Sequence, residues 1–287
     1  MPSDASAGPS AARWSSLDRP PLNAAALQRA LVTPDSLWTS VEVVAATGST
    51  NSDLTARAAE LPEGAVLVAE EQSAGRGRLD RSWVAPARSG LFLSVLLRPG
   101  PDVPQERWGW LTLLAGVATA GALSRAAGVD TALKWPNDLL VTVDGEERKA
   151  GGILAERTGD GVIIGIGLNV TLTEDELPVP GAGSLLLAQA KVTDREPLLK
   201  AVLRSLEQWY ADWREAGGDP AASGLQETYA AGCSTLGRHV RAELPGGREL
   251  TGTAEAVDSD GRLVVRTAEG EREAVAAGDV VHLRPVR

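Results

Sequence analysis

Glycines and arginines alternate in one short stretch of the chain, which reads GRGRLDRSW over residues 75–83. Arginine keeps its charge at neutral pH and binds planar oxyanions through two parallel N–H donors. Glycine lets a backbone approach a ligand where a Cβ atom would collide with it. The segment from Glu71 to Gly100 holds five arginines against two acidic residues, although the formal net charge of the protein is −10. The stretch therefore indicates either a solvated cationic loop or a loop that holds a small anion.

A second group of polar residues surrounds a proline in the sequence KWPND, residues 134–138. Proline fixes φ and makes a turn rigid, so the amine, amide and carboxylate around it could hold a cation or a phosphate. Asn and Asp are also common in ordinary turns, where their side chains bind the nearby backbone. Taken alone, this segment is open to both interpretations, a binding site and an exposed β-turn.

Two glycine-rich stretches follow the KWPND turn. Lys149 precedes the sequence AGGIL, and GIGLN occupies residues 165–169. Glycine inside a strand often marks a close approach by a ligand or by another backbone, although Lys149 alone could also be a surface residue of a hairpin. The third glycine of G-x-G-x-x-G is missing, and the chain has no G-x-x-x-x-G-K-[ST] sequence. A site for ATP would therefore be neither a dinucleotide fold nor a P-loop.

Helices and strands that could position these residues follow one another irregularly. Apolar patterning predicts strands over residues 40–46, 65–70, 90–97, 131–135, 139–143, 149–156 and 161–170. It predicts helices over residues 22–32, 107–127, 197–216 and 224–231, and one that follows the TGSTN turn and runs to about residue 60. Consecutive strands without intervening helices favour an α+β fold over strict βαβ alternation. After Cys233, five short β segments separated by glycine-containing turns predict a small all-β barrel.

Composition excludes several classes of protein. With one cysteine and two distant histidines in 287 residues, a disulfide framework, a cysteine-rich zinc cluster and a Ser-His-Asp triad are all disfavoured. A pI near 4.9 argues against general nucleic-acid binding. Without a membrane-length apolar run or a signal peptide, we expect a cytoplasmic protein that binds no membrane. Residues 1–20 are rich in Ser, Ala and Pro and predict a disordered tail, followed by a main domain over 21–231 and a second domain over 232–287.

In this order and spacing, the motifs resemble those of the biotin protein ligases, which attach biotin to biotin-dependent carboxylases. The matching residues are Ser49-Thr50-Asn51, Gln72 with GRGR and Trp83, KWPND, Lys149 with its GGIL strand, and GIGLN, which together cover roughly residues 40–175. The resemblance implies a mixed-sheet catalytic domain with helices and a C-terminal SH3-like β-barrel. It also implies that ATP and biotin form biotinyl-5′-AMP with Mg²⁺ bridging the phosphates. The biotinyl group would then pass to a lysine of the biotin carboxyl carrier domain of an acyl-CoA or pyruvate carboxylase.

Each site residue takes a role from this resemblance. Biotin binding is implied for Ser49, Thr50, Gln72, Gly75, Arg76, Lys149 and Gly152. Nucleotide binding is implied for Asn51, Arg78, Arg81, Trp83, Lys134, Asn137, Asp138 and Asn169. Catalytic roles are implied for Lys149, Arg76 and Asp138, with Lys149 stabilising charge beside the biotin carboxylate and the α-phosphate. Asp138 would help the incoming lysine to lose its proton, and no protein ligand is assigned to the metal.

Three other functions compete with this interpretation. A lipoate–protein ligase has the same fold and adenylate chemistry, but GRGR and KWPND favour biotin. A carrier-binding module without catalysis is disfavoured by the intact set of Arg, Lys, Asn and Asp residues. A DNA-binding repressor is disfavoured by the acidic charge and by the short stretch before Ser40, so we expect a ligase without repressor function. Because the net charge gives no long-range attraction to an acidic carrier, we expect docking through local contacts such as edge-strand pairing.

Overall fold

The structure is a computed structural model that describes residues 19–79, 81–244, 248–276 and 279–282. Most of the predicted tail lies outside these ranges, but its last two residues, Arg19 and Pro20, are held in place. The Arg19 guanidinium is 5% exposed and pairs with the Glu176 carboxylate at 2.6 Å, and the Pro20 carbonyl accepts a hydrogen bond from Arg195. These two residues therefore pack against the main domain, since a buried guanidinium requires a partner for its charge, and the predicted boundary of the tail at residue 20 stays a prediction.

Nine strands belong to the main domain within the described residues. They are β1 (Ser40–Val44), β2 (Ala65–Ala69), β3 (Gly75–Arg76), β4 (Ser82–Trp83), β5 (Gly90–Leu97), β6 (Thr131–Lys134), β7 (Asp138–Val143), β8 (Glu146–Thr158) and β9 (Gly161–Asn169). Seven of them form one sheet in the order β1-β2-β5-β9-β8-β7-β6, and β3 pairs with β4 in a separate hairpin. Only β1 and β2 are parallel among the seven, which confirms the predicted α+β class with a mixed sheet.

Helices cover the two faces of this sheet unequally. They are α1 (Ala24–Leu31), α2 (Thr50–Arg57), α3 (Trp110–Ala127), α4 (Arg195–Glu215) and α5 (Leu225–Gly232). Val66 and Val68 of β2 belong to the large core that contains α3 and α4, whereas Leu67 belongs to a small cluster with Leu54 of α2. Successive strand residues point to opposite faces, so α2 lies on the face opposite to α3 and α4. The small cluster covers only part of that face.

Among the helices that the structure describes, α3 is the most apolar. The stretch Gln105–Ala127 is long and apolar enough to cross a membrane by length and composition, yet 67% of its most apolar part is buried within the protein. It packs against α4 and against the strands β6 and β8, and it ends at Gly128, whose φ of 64° is the left-handed conformation that terminates many helices. The hydropathy of this stretch is therefore accounted for by the core of the domain.

In the described part of the C-terminal region, five strands form the second sheet, which confirms the predicted C-terminal β domain. They are β10 (His239–Glu243), β11 (Glu249–Val257), β12 (Leu263–Arg266), β13 (Arg272–Val275) and β14 (Asp279–His282), in the order β13-β12-β11-β10-β14. The turn between β11 and β12 contacts the main domain directly. The indole of Trp110 donates to the Ser259 carbonyl at 3.0 Å, and the indole of Trp135 donates to the Gly261 carbonyl at 3.1 Å. The second sheet is thereby fixed to the KWPND turn.

Candidate functional site

A cavity of about 980 Å³ opens over the part of the main sheet that α2 leaves uncovered. Every site residue that the sequence predicted lines this cavity, with the exception of Gly75. Gly75 lies just behind the wall, where it pairs with Trp83 in the β3–β4 hairpin. A Cβ atom at Gly75 would lie 2.4 Å from the Trp83 carbonyl oxygen and 3.1 Å from the Gln72 amide nitrogen, so this position requires glycine.

Two sets of paired residues, each crossing strands β5, β9 and β8, form the floor of the cavity. Gly167 of β9 lies between Phe92 and Gly152, and Gly165 lies between Ser94 and Leu154. These glycines make room for two side chains from outside the sheet. A Cβ atom at Gly167 would lie 2.9 Å from the Trp83 ring, and one at Gly165 would lie 2.1 Å from the Asn51 amide oxygen. Gly165 and Gly167 of GIGLN therefore serve the close approach of Asn51 and Trp83, and a Cβ atom at Gly152 of GGIL would also lie 3.3 Å from the Trp83 ring.

Lys149 reaches the cavity because of a β-bulge. The register between β7 and β8 shifts at Ala150, so that Leu139 pairs with Gly151 but Leu140 pairs with Lys149. In a regular strand Lys149 and Gly152 would point to opposite faces, since they are three residues apart. The bulge puts both on the cavity side, where the Lys149 ammonium pairs with the Asp138 carboxylate at 2.6 Å and lies 5.9 Å from the centre of the Trp83 ring.

The GRGR stretch forms one wall of the cavity as a small hairpin. Its strands β3 and β4 are two residues long, too short to give a periodic signal in the sequence. Arg76 pairs with Glu156 at 2.9 Å, and an Arg78 N–H donates to the Asn137 amide oxygen at 3.3 Å. The hairpin is therefore connected to the KWPND turn through Asn137 and to strand β8 through Glu156.

Neutral polar groups form the wall at the start of α2. Ser49 is the N-cap of this helix, and the backbone N–H of Thr50 donates to the Gln72 side-chain oxygen at 2.8 Å. Asn51 is 4% exposed and donates from its amide to the Leu154 carbonyl and to Glu156. These contacts put Asn51 in the same wall as Thr50, and its predicted contact with the nucleotide stays a prediction.

KWPND and the end of β9 supply the remaining polar groups. The peptide bond between Trp135 and Pro136 is cis, and the Asn137 amide donates to the Ile153 carbonyl at 3.0 Å. Asn169 is 3% exposed, and its amide donates to the Gly183 carbonyl at 3.0 Å. These amides are therefore held by the backbone of β8 and of the segment that follows β9.

Two parts of the lining were missed from the sequence. The segment 178–182 (PVPGA) lines the cavity and hydrogen-bonds to Lys149, whose backbone N–H donates to the Gly181 carbonyl at 2.8 Å. Val280 and Val281 of β14 bring the second domain into the lining. Nothing in a proline-rich loop or in an ordinary β segment distinguishes such residues, because only the fold places them beside Lys149 and KWPND.

His282 of β14 connects the second domain to the KWPND turn. Its ring nitrogen lies 3.0 Å from the hydroxyl of Thr235, and that hydroxyl accepts a hydrogen bond from the Trp135 backbone N–H at 3.0 Å. Burial, followed by the positive charges of Lys134 and Arg238, lowers the pKa of His282 from 6.5 to about 4, with Glu147 opposing the change. The imidazole is therefore neutral at pH 7.

Two family models match the chain. Residues 43–169 match the biotin/lipoate A/B protein ligase family, and residues 235–283 match the biotin protein ligase C-terminal domain. The fold and the site thus define a protein of the biotin/lipoate ligase class. A biotin–[acetyl-CoA-carboxylase] ligase of Mycobacterium tuberculosis is 44% identical over 93% of this chain and 97% of its own length. This chain belongs to the biotin protein ligase family.

Solved structures show the same fold. The biotin protein ligase of Aquifex aeolicus, in complex with biotin and ATP, is 25% identical with a TM-score of 0.69 and covers 86% of this chain and 100% of its own. The biotin protein ligase of Leishmania major, in complex with biotinyl-5-AMP, is 27% identical with a TM-score of 0.58 and covers 83% of this chain and 99% of its own.

Proposed function

We propose that this protein activates biotin with ATP as biotinyl-5′-AMP and transfers the biotinyl group to a lysine of a biotin carboxyl carrier domain. The observation that carries the proposal is the composition of the single cavity described above. Neutral hydrogen-bonding groups lie at one wall, the arginine hairpin at another, and the Lys149–Asp138 pair between KWPND and β8. Neutral donors and acceptors suit the ureido ring of biotin, and fixed cations suit a carboxylate and a triphosphate.

In the first step the biotin carboxylate attacks the α-phosphorus of ATP and pyrophosphate leaves. Negative charge increases on the non-bridging oxygens of the α-phosphate as the new bond forms. Lys149, held by Asp138 at 2.6 Å, is the cation that we place against those oxygens. Arg76 lines the same cavity and binds the carboxylate and the resulting mixed anhydride. Cations fixed in advance stabilise such charge without reorganisation during the reaction.

The residues at KWPND fit a magnesium ion bound together with ATP. Magnesium prefers oxygen ligands and is usually held by one or two carboxylates together with substrate phosphates. The Asp138 carboxylate and the Asn137 amide oxygen are the groups of this kind on the turn, and they would hold the ion. When bound, the ion neutralises phosphate charge. Among the described residues, no group of three or more His, Cys, Asp and Glu side chains could hold a metal by itself.

In the second step a carrier lysine attacks the acyl carbon and AMP leaves. The attacking amine must be neutral, and the Asp138 carboxylate is the base that we assign to its proton. Exposed apolar side chains surround the mouth of the cavity, namely those of Leu79, Val84, Val179 and Val281. They support docking through short-range contacts. The carrier is inferred to belong to acetyl-CoA carboxylase, as in the name of the mycobacterial relative, and a pyruvate carboxylase carrier is a further candidate.

Adenylate formation gives the decisive test. Purified protein is incubated with ATP, magnesium and either biotin or lipoate, and the acyl adenylate is measured by chromatography, followed by transfer to an isolated carrier domain. We expect biotinyl-5′-AMP and a biotinylated carrier lysine. Absence of adenylate with biotin, or a preference for lipoate, would contradict the proposal.

The lipoate alternative is not favoured, because the relatives and the solved structures above are biotin ligases. The absence of repressor activity and of nucleic-acid binding stays a prediction, as does the cytoplasmic location. Direct measurement of DNA binding in the presence of biotinyl-5′-AMP would test the predicted absence of nucleic-acid binding.

A further inference from the structure

A carboxylate outside the cavity wall connects two of the walls. Glu156 of β8 binds Arg76 in the β3–β4 hairpin through one oxygen, at 2.9 Å, and the Asn51 amide through the other, at 2.8 Å. We propose that Glu156 is a positioning residue that aims Arg76 at the acyl phosphate and couples the hairpin to the biotin-binding wall. This inference rests on the proposed function, because it assigns to Arg76 the anion of that reaction.

The sheet places Glu156 suitably for this role. Every second residue of a strand points to the same face, so the cavity face of β8 carries Gly152, Leu154 and Glu156. On β9, Ile163 lies opposite Glu156 and Gly165 lies opposite Leu154. Its carboxylate is 25% exposed, whereas the Arg76 side chain is 48% exposed. The less exposed residue of the sheet thus holds the more exposed residue of the hairpin.

Hydrogen bonds continue from Glu156 to the start of α2. The Ser94 hydroxyl donates to the Asn51 amide oxygen at 2.6 Å and lies 2.7 Å from the Thr50 hydroxyl. The Thr50 backbone N–H then donates to Gln72. Gly165 makes this chain of contacts possible, because any side chain there would occupy the position of the Asn51 amide. A continuous set of hydrogen bonds therefore connects Arg76 to the residues assigned to the biotin ring.

The chemistry of the two partners requires a carboxylate. Arg76 and Asn51 both present N–H donors, and a carboxylate offers two acceptor oxygens where an amide offers one oxygen and a donor. A glutamine at 156 would satisfy one partner and place an N–H group against the other. A guanidinium carries five N–H donors, so a bond to Glu156 through one nitrogen orients the group while others can bind an anion.

The first test compares Glu156→Gln and Glu156→Asp with wild type in adenylate synthesis. We expect Glu156→Gln to raise the KM for biotin and the release rate of biotinyl-5′-AMP, each on the order of tenfold, as is typical for losing a hydrogen bond to a charged group. The rate of adenylate formation at saturating substrate should change much less. Glu156→Asp should restore part of the loss, because it returns both acceptor oxygens. Glu42→Gln is the control, since it removes an exposed ion pair between Glu42 of β1 and Arg57 of α2.

A double-mutant comparison separates positioning from folding. In an Arg76→Ala background, Glu156→Gln should have little further effect on adenylate release, since the group that it positions is gone. Equal effects in both backgrounds, or unchanged KM and release in Glu156→Gln, would overturn the inference. The inference would also be overturned if the variant lost affinity for biotin only to the extent that its melting temperature fell.

A third measurement does not depend on the reaction. Trypsin cleaves after arginine, so the rate of cleavage after Arg76 in the ligand-free protein reports how firmly the hairpin is held. We expect faster cleavage in Glu156→Gln than in wild type and in Glu42→Gln, and equal rates would overturn the positioning role. If the wild type formed no biotinyl adenylate, the proposed function would fail, while this comparison would still decide whether Glu156 holds Arg76.

Discussion

Lys149 and Asp138 belong to different motifs in the sequence but form one ion pair in the cavity, at 2.6 Å. Such a pair fixes the ammonium in place, and an anion on the side away from Asp138 can still accept a hydrogen bond from its remaining N–H donors. Trp83 lies beside the same centre, with its ring centre 5.9 Å from the ammonium. The electrostatic part of the proposed reaction is therefore concentrated in a few side chains.

Lys149→Ala should slow adenylate formation by about 10²–10³-fold, the usual effect of removing one group that stabilises developing charge. Single-turnover formation of biotinyl-5′-AMP measures this step directly. Lys200→Ala, which removes an ion pair with Glu196 on α4, is the matched control. A near-normal rate in Lys149→Ala would remove Lys149 from the reaction.

Arg76→Ala should accelerate the loss of bound biotinyl-5′-AMP with little change in melting temperature. The side chain is 48% exposed and makes no contribution to the core, so its removal affects the ligand more than the fold. Dissociation of radiolabelled adenylate and thermal unfolding give the two values. If the variant unfolded while retaining the adenylate normally, the hairpin would have a structural role only.

Among the elements, the glycine positions of β8 and β9 decide the shape of the floor. Gly167 of β9 and Gly152 of β8 are paired neighbours on adjacent strands, and both lie beneath the Trp83 ring. The tryptophan is predicted to pack beside the nucleotide, so the depth at which its ring lies should affect the affinity for ATP and adenylate. The sheet controls this depth through the absence of side chains.

Gly167→Ala tests this control. The added Cβ atom would lie 2.9 Å from the Trp83 ring, so the ring must move away from the sheet. Overpacking costs about 1–3 kcal/mol, and we expect adenylate affinity to fall by up to roughly a hundredfold. Gly232→Ala is the matched control, since its Cβ atom would make an ordinary contact of 3.6 Å with Leu133. Equal affinities in the two variants, measured by calorimetry, would contradict the prediction.

At the scale of the whole molecule, the two sheets share one hydrophobic core. Val240, Leu263 and Val280 of the second sheet belong to the same buried cluster as α3 and α4. The second domain also lines the cavity through β14 and holds the KWPND turn through Thr235 and Trp135. We therefore expect the two domains to unfold together, although the exact boundary predicted at residues 231 and 232 stays a prediction.

His282 should make the stability of the folded protein depend on pH. Its folded-state pKa of about 4 lies below the ordinary value of 6.5, so between these values the unfolded chain binds a proton that the folded protein does not. The free energy of unfolding should therefore decrease as the pH falls from 6.5 to about 4. His282→Gln should show a smaller decrease than wild type. Melting temperature against pH measures the slopes, with the exposed His239→Gln as control, and identical slopes in wild type and His282→Gln would contradict the prediction.

The sequence by itself determined the residue types of the site and most of the elements. The family resemblance carried by the motifs predicted nearly all of the polar lining. Apolar periodicity predicted most strands and helices, because this signal is local and repeats along each element. The hairpin of β3 and β4 was not predicted, since its pairing involves two residues on each strand. The buried position of Arg19 was also missed, because its partner Glu176 is distant in the sequence.

Only the tertiary structure decided which of these residues meet. Strict alternation along β8 would have placed Lys149 on the far face, and the bulge at Ala150 turned it towards Asp138. The fold likewise brought Glu156 between Arg76 and Asn51, and it brought β14 and the segment 178–182 to the cavity. These outcomes depend on strand register and on contacts between distant segments, and a local pattern carries no information about either.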